Sequence, residues 1–422
     1  AMASRRLSRA AAAGDANAVH ALLMEGADSG FQVRQPPGFW SDTATHPAAD
    51  CEKGRHPPSS RRKVHLPLSS RRASDPHPLP AFSRRDVLSV PTQDRKGVTP
   101  LMLACEGGHV SVVKSLLQHG APWNELDKDG HCAGEWASAS GHAELASFLL
   151  DHAVRAELVL GVVGRQSREP DLTYLNQPVR YDGDDNLLDE NNDAVMMSWE
   201  APLMRAHAAI ICASKGDVLN VGFGMGIIDG YIRDEHTTKT HTIIEAHPDV
   251  YAHLLRTGWV SSGTGNTDRL SADGNKNKNN TKTNIKVEFG RWQDVLAKIV
   301  SENEEITANT SGKSKEPRLF DGVFFDTYGE DWDDMREFHA LLPKIMKPGG
   351  VYSYFNGLAP DNIFFHTVYC RLAAAELGRL GFVTTFQVTP IDTKSDAIWK
   401  NVKRRYWWGD TYFTPTCVLG GG

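Results

Sequence analysis

The sequence lacks the features that most quickly assign a protein to a class. Its six cysteines include no C-x-x-C pair, and its 422 residues contain no apolar run of the roughly 20 residues that span a bilayer. We therefore expect free, buried thiols and no membrane-spanning helix. Segment 1–9 carries arginines but no long apolar stretch, so no secretory signal is expected. The histidines show no metal-ligand spacing, and the sequence predicts no metal site.

An excess of positive charge is also missing. Lysine and arginine number 46 against 52 aspartates and glutamates, which gives a net charge of −6. Because contacts to phosphate groups need a basic surface, we expect neither direct nucleic-acid binding nor a membrane partner. The chain is 40% hydrophobic and 23% charged, a composition typical of globular proteins. Its length predicts two or three domains.

The first third of the chain contains a repeat with a period of 33 residues. Segment 97–127 has a Thr-Pro-Leu sequence, a Gly-His turn and a paired-leucine helix. Segment 128–158 repeats the pattern more weakly, and a third copy lies upstream at 14–27. The pattern resembles the ankyrin repeat, in which each unit is a pair of short antiparallel helices. It predicts an all-α module of about three ankyrin repeats over 1–158.

The upstream copy is separated from the others by a different kind of sequence. Segment 34–91 is rich in proline, serine, arginine and histidine and has no helical periodicity, so we expect it to be disordered. Removing 33–93 restores the repeat period. Two explanations stay open: a translated intron, or a genuine disordered loop. Sequencing the mature transcript distinguishes them.

A glycine-rich turn follows an apolar strand in the second part of the chain. The strand at 217–221 leads into Gly-x-Gly-x-Gly at 222–226, and the next apolar strand ends at Glu245. Glycine lets the backbone approach a ligand closely, and an acid at the end of the following strand can bind ribose hydroxyl groups. The arrangement fits a dinucleotide or S-adenosylmethionine, and the spacing favours S-adenosylmethionine.

Further strands alternate with helices, at 285–290, 320–326 and 351–356. This order predicts an α/β fold: a Rossmann-like domain with a parallel sheet and helices on both faces. Right-handed crossovers bring the carboxyl ends of the strands to one edge, where Glu245, Asp326 and the glycine turn would meet. We place this domain at 174–422, after a linker at 159–173.

Five short segments occur in an order similar to that of guanidinoacetate N-methyltransferase. They are 199–204, 221–225, 243–245, 290–292 and 325–328, within a match that starts near Tyr174. With an ankyrin module ahead of it, the chain resembles the fungal type IV protein arginine methyltransferases, the arginine methyltransferase 2 family. The resemblance implies an S-adenosylmethionine-dependent enzyme of cytoplasm and nucleus. Its implied reaction is methylation of the internal δ-nitrogen (N5) of an arginine in a large-subunit ribosomal protein.

The resemblance also implies site residues. Glu200 and Asp326 would hold the guanidinium group and are the predicted catalytic residues, because carboxylates bind the N–H groups of arginine as a fork. Tyr174 stands where the guanidinoacetate enzyme has tryptophan. The implied cofactor-binding residues are Tyr174, Met204, Phe223, Gly224, Met225, Gly226, Ile227, Ile228, Glu245, Ala246, His247, Gly290, Arg291 and Asp326.

Other interpretations remain open. Glu200 alone is also typical of a first-turn helix acid, and Asp326 alone of a turn acid at a strand end. The double-Glu and Thr-His-Trp loops of the commoner arginine methyltransferases are not found, which disfavours methylation of the terminal nitrogens. The alternatives are a small-molecule guanidino methyltransferase and an inactive ankyrin adaptor. If the chain is a protein methyltransferase or an adaptor, we expect the ankyrin surface to bind a protein partner.

Overall fold

The computed structural model of the protein describes residues 2–24, 96–163, 172–259, 284–308 and 316–421. The insertion predicted at 33–93 and Cys51 lie outside these ranges. The five cysteines within them are free and buried, as the sequence predicts. No helix in these ranges combines the length and apolar character that crossing a bilayer requires.

Three pairs of short helices form the N-terminal part, as the repeat predicts. They are α1 (Met2–Ala12), α2 (Ala16–Met24), α3 (Pro100–Glu106), α4 (Val110–Gln118), α5 (Ala133–Ala139) and α6 (Ala143–Val163). The Gly-His turns join one repeat to the one before it. His109 donates from Nε2 to the carbonyl oxygen of Ala12 at 3.2 Å, and His142 does the same to Glu106 at 3.0 Å. The last helix continues to Val163, so it includes the start of the segment predicted as a linker.

A small antiparallel sheet precedes the main domain, which the sequence analysis did not anticipate. It consists of β1 (Arg180–Asp182), β2 (Asn186–Leu188) and β3 (Ala194–Met197) in the order β1-β2-β3. A single 3₁₀ turn, Ser198–Glu200, then leads into α7 (Ala201–Ile211). Pro202 lies in the first turn of α7, where its missing N–H costs no hydrogen bond.

The main sheet has seven strands in the order β6-β5-β4-β7-β8-β10-β9. They are β4 (Asp217–Val221), β5 (Thr240–Glu245), β6 (Asn284–Phe289), β7 (Phe320–Phe325), β8 (Met346–Tyr354), β9 (Phe382–Pro390) and β10 (Thr411–Leu419). The first five of these strands are parallel, as predicted. The complete sheet is mixed, because β10, which the sequence analysis did not identify, enters antiparallel between β8 and β9.

Helices cover both faces of the sheet, as the alternating order predicts. They are α7, α8 (Ile227–Glu235) and α9 (Pro248–Arg256) on one face, and α10 (Trp292–Ala308), α11 (Trp332–Ile345) and α12 (Ile363–Arg379) on the other. Each face has its own apolar core, since Ile228 and Leu254 pack in one cluster and Phe338 and Leu377 in the other. The α/β fold class is confirmed.

The start of α12 packs on the ankyrin repeats. Phe364 and Phe365 belong to the apolar cluster that fills the repeat interior, and the ring of Trp123 lies 5.4 Å from that of Phe365. At the rim, the Asn362 side-chain amide donates to a carboxylate oxygen of Glu135 at 2.7 Å. In a solenoid the end of the last repeat would be covered by another repeat or a cap. Here α12 covers it, and the two parts share one core.

Candidate active site

The glycine turn brings two strand ends together. Gly222 has a φ of +94°, and a Cβ atom there would lie 1.9 Å from the carbonyl oxygen of Asp326. The backbone N–H of Asp326 donates to the carbonyl oxygen of Val221 at 2.9 Å. Only glycine permits this approach, both for its left-handed backbone and for the missing side chain. The turn therefore sets Asp326 at the carboxyl edge of the sheet beside β4.

Asn220 supports the same turn from below. Its side-chain amide donates to the carbonyl oxygen of Gly222 and to both carboxylate oxygens of Asp229, each at 2.9 Å. Asp229 also lies 2.9 Å from Nε2 of His241, and all three side chains are fully buried. These contacts give Asn220 a structural role in holding the turn.

Glu245 ends β5 and faces the turn, as its position predicts. One carboxylate oxygen accepts from the backbone N–H of Phe223 at 2.9 Å, and the other from that of His247 at 2.6 Å. Burial raises the pKa of Glu245, although these amides lower it in part. A carboxylate has about four lone-pair sites, so Glu245 can also accept a hydrogen bond from a hydroxyl group of a ligand.

Aromatic rings cover one side of Glu245. The Tyr174 ring lies 4.8 Å from the rings of both His247 and Tyr328. Burial and the nearby Glu245 carboxylate raise the pKa of Tyr174. His247 donates from Nε2 to the carbonyl oxygen of Gln177 at 2.9 Å and accepts at Nδ1 from the N–H of Asp249, which is the pattern of a neutral imidazole. Tyr174 and His247 thus lie together next to Glu245.

The other predicted cofactor residues fall into two sets. Met204, Phe223 and Ile228 are buried in the core beneath the turn. Backbone contacts hold most of the remainder at the sheet edge. The carbonyl oxygen of Gly224 accepts from Tyr181, and the N–H of Met225 meets the sulfur of Met196. Gly226 and Ile227 begin α8, and Ala246 follows Glu245. The N–H of Gly290 donates to the Glu245 carbonyl oxygen, and Arg291 lies close enough to Glu330 to lower its pKa.

The two predicted catalytic carboxylates lie close enough for the charge of Asp326 to act on Glu200. Glu200 is 3% exposed, and its Oε1 accepts from the backbone N–H of Met197 at 3.0 Å and from the hydroxyl group of Tyr406. Burial, with a smaller effect of Asp326, raises the pKa of Glu200 to about 8. Burial raises the pKa of Asp326 to about 7. Glu200 does act as a first-turn acid, but that role does not explain the second carboxylate beside it.

This arrangement suits a cation with several N–H groups. A buried carboxylate and a half-buried one resist ionising together, because each charge loses hydration and repels the other. A guanidinium group would relieve both effects, since it keeps its charge at any ordinary pH and offers five donors in a planar fork. Within the described chain, no cluster of histidine, cysteine and acidic side chains forms a metal site.

The sequence analysis missed Tyr406, the hydroxyl donor to Glu200. The two residues are 206 positions apart, and no local pattern links them. Of the two tryptophans that follow Tyr406, Trp407 is buried at 1% exposure and Trp408 is 58% exposed.

Two family models match the chain. The ankyrin-repeat model, with three copies, matches residues 85–159, and the guanidinoacetate N-methyltransferase model matches 166–264. These matches agree with the helical repeats and with the start of the α/β domain.

Curated relatives match over most of the chain. Protein arginine N-methyltransferase 2 of Aspergillus oryzae is 30% identical over 73% of this chain and 77% of its own length. The proteins of that name from Eremothecium gossypii and Kluyveromyces lactis are 29% and 28% identical, over 72% and 79% of this chain and 79% and 88% of their own lengths. The chain therefore belongs to the protein arginine N-methyltransferase 2 family.

Proposed function

We propose that this chain transfers a methyl group from S-adenosylmethionine to the internal δ-nitrogen (N5) of an arginine residue in a protein. The observation that carries the proposal is the pair formed by the buried Glu200 and the half-buried Asp326, with Asp326 held at the glycine turn. The name of the relatives supports arginine as the group that is methylated. The choice of N5 and of a large-subunit ribosomal protein rests on the resemblance given above.

The residues at the carboxyl edge fit S-adenosylmethionine. Glu245 is a buried carboxylate held by backbone amides, and its spare lone pairs suit a ribose diol. Tyr174 and the backbone at Gly224 and Gly290 would complete the site. When bound there, S-adenosylmethionine supplies an electrophilic methyl group.

The chain's own residues prepare the arginine. A protonated guanidinium is a poor nucleophile because its charge is spread over three nitrogens. Carboxylates that bind two of these nitrogens draw positive charge towards them and leave the third richer in electrons. Binding of the cation also favours the ionised forms of Glu200 and Asp326. One of these carboxylates can then accept the proton that the methylated nitrogen releases.

A protein substrate agrees with the presence of an ankyrin module. A small guanidino compound needs no docking surface, whereas a protein substrate or partner can use one. The proposal also includes a protein partner that binds the part of the ankyrin surface that α12 does not cover. Action on a ribosomal protein would take place in the cytoplasm and the nucleus, where ribosomal proteins are made and assembled.

A labelled-methyl assay on the full chain tests this proposal. The chain is incubated with labelled S-adenosylmethionine and a ribosomal-protein fraction, with guanidinoacetate as a parallel substrate. Acid hydrolysis and amino-acid analysis then identify the methylated nitrogen. We expect N5-methylarginine in protein.

Three results would contradict the proposal. Label on the terminal nitrogens would overturn the N5 assignment. Label in guanidinoacetate alone would favour the small-molecule alternative, to which the guanidinoacetate N-methyltransferase match gives some support. Cofactor binding without transfer to either substrate would favour an inactive adaptor.

A further inference from the structure

A phenol holds one side of the catalytic carboxylate pair. The hydroxyl group of Tyr406 and the backbone N–H of Met197 both donate to Oε1 of Glu200. Within the described chain, neither of these donors contacts Oε2. The carboxylate is therefore fixed in its plane with one oxygen satisfied and the other left for a ligand.

The loop between β9 and β10 fixes the ring of Tyr406. The rings of Trp199 and Trp399 lie 5.8 Å and 5.2 Å from it. Arg405 tightens the loop, because its guanidinium donates to the carbonyl oxygens of Trp407 at 2.7 Å and Thr393 at 2.8 Å. A ring packed in this way keeps one orientation, so its hydroxyl group arrives at Glu200 without further ordering.

We propose that Tyr406 is a positioning residue for capture of the arginine. Its hydroxyl group occupies Oε1 of Glu200, fixes the plane of the carboxylate and leaves Oε2 to accept an N–H of the guanidinium group. The identity of this cation rests on the proposed function.

The groups around Glu200 define the expected pH dependence. Asp326 faces it from the end of β7, Tyr406 from the loop and Tyr412 from β10. His207 contacts the hydroxyl group of Tyr412 at 2.9 Å, and burial lowers the pKa of His207 to about 3, so this imidazole is neutral. Burial raises the pKa of Tyr406 far above its usual value, so the phenol stays a donor. Its hydrogen bond lowers the pKa of Glu200, whereas Asp326 raises it.

The Tyr406→Phe variant removes the hydroxyl group and keeps the ring. Loss of a hydrogen bond to a charged group should raise the pKa of Glu200 by about one unit. We expect the acidic limb of kcat/KM against pH to move up by about one pH unit. Binding of N-acetylarginine methylamide, followed by calorimetry, should be about tenfold weaker at pH 7 and should approach the parent value at alkaline pH.

Two further proteins make the result decisive. Tyr352→Phe removes a buried phenol whose hydroxyl group contacts His339 and not Glu200, and its acidic limb should stay in place. Difluorotyrosine at position 406 is a stronger donor, and it should move the limb in the opposite direction to Tyr406→Phe. Opposite shifts cannot come from a partly unfolded protein.

If Tyr406→Phe lowers kcat/KM and probe affinity by the same factor at every pH, the positioning role is overturned and the hydroxyl group contributes only to packing. The probe-binding measurement does not need turnover. If the parent protein binds the probe and methylates nothing, the proposed function fails, while the pH dependence of binding still decides the role of Tyr406.

Discussion

The ankyrin repeats and the methyltransferase domain treat buried polar groups in different ways. Few polar side chains are buried among the residues that the structure describes in the repeats, and each has partners. Thr99 caps a helix, and the Asp127 carboxylate, 6% exposed, accepts from two backbone N–H groups and from Trp136. The methyltransferase domain buries Glu200, Asp229 and Glu245 together with several histidines. Burying an ionisable group is costly unless its partners compensate for the lost hydration. The comparison indicates that the repeats are built for stability, whereas the second domain gives up stability at its site.

The carboxylate pair should show the largest effect. Glu200→Gln and Asp326→Asn each remove a charge that the guanidinium needs, so we expect kcat/KM to fall on the order of 1,000-fold, about 4 kcal/mol. Initial-rate kinetics with the protein substrate measure this fall in kcat/KM. Glu304→Gln, at a carboxylate with 66% side-chain exposure, is the control and should leave turnover unchanged. Near-normal turnover in both site variants would remove the guanidinium assignment.

Breaking the contact between the two regions comes next. Phe364→Ala empties a site in the shared core, so we expect unfolding to require about 3 kcal/mol less free energy. Calorimetry should show two separate unfolding transitions in place of one. Phe289, with 52% exposure, gives the control Phe289→Ala, which should change little. A single transition at the parent temperature would show that the regions are not coupled through α12.

The buried carboxylate of Glu200 should destabilise the parent protein, so a variant without it should be more stable. The pKa of Glu200 is higher in the folded protein than in the unfolded chain, so the folded state binds more protons between about pH 4.5 and 8. The stability of the parent protein therefore falls as the pH rises through this window. Glu200→Gln removes that loss, and we expect it to be more stable on the order of 2 kcal/mol at pH 8.5. Near pH 5 the difference should vanish.

Thermal unfolding of the Glu200→Gln and parent proteins at the two pH values measures this gain, again with Glu304→Gln as the control. Lower stability of Glu200→Gln at pH 8.5 would mean that the carboxylate is compensated by contacts already present in the protein, and the contrast with the repeats would lose its physical basis.

The smallest effect is expected in the repeats. Oγ1 of Thr99 accepts from the backbone N–H of Met102 at 3.2 Å, and Thr99→Ala removes this cap from α3. We expect a loss of about 1 kcal/mol in the free energy of unfolding, with kcat unchanged. Denaturant unfolding measures the loss of stability, and initial-rate kinetics measure kcat. The control is Thr385→Ala on the edge strand β9. A fall in turnover without a fall in stability would contradict the division between the regions.

Local interactions explain which parts were predictable. Ankyrin helices pack on near neighbours, so a short period in the sequence carries most of the information. The glycine turn and the acid that ends β5 also lie close together in sequence. The hairpin of β9 and β10 was missed because the place of β10 between β8 and β9 depends on pairing across the sheet.

Long-range contacts explain the omission at the site. Glu200 was predicted through the resemblance, but Tyr406 reaches it across the whole α/β fold. The aromatic residues near Tyr406 look like ordinary core residues in the sequence, and only the folded loop shows that one hydroxyl group meets a carboxylate.

The cap that α12 places on the ankyrin repeats has a consequence for synthesis of the chain. Asn362 and Glu135, which meet at this contact, are 227 residues apart. A ribosome adds about 5–20 residues per second, so the repeats leave it roughly 10–45 seconds before their cap exists. During that interval the apolar end of the third repeat is open to water and to other nascent chains. A chaperone that binds emerging chains would have this end as a target, and completion of α12 would release it.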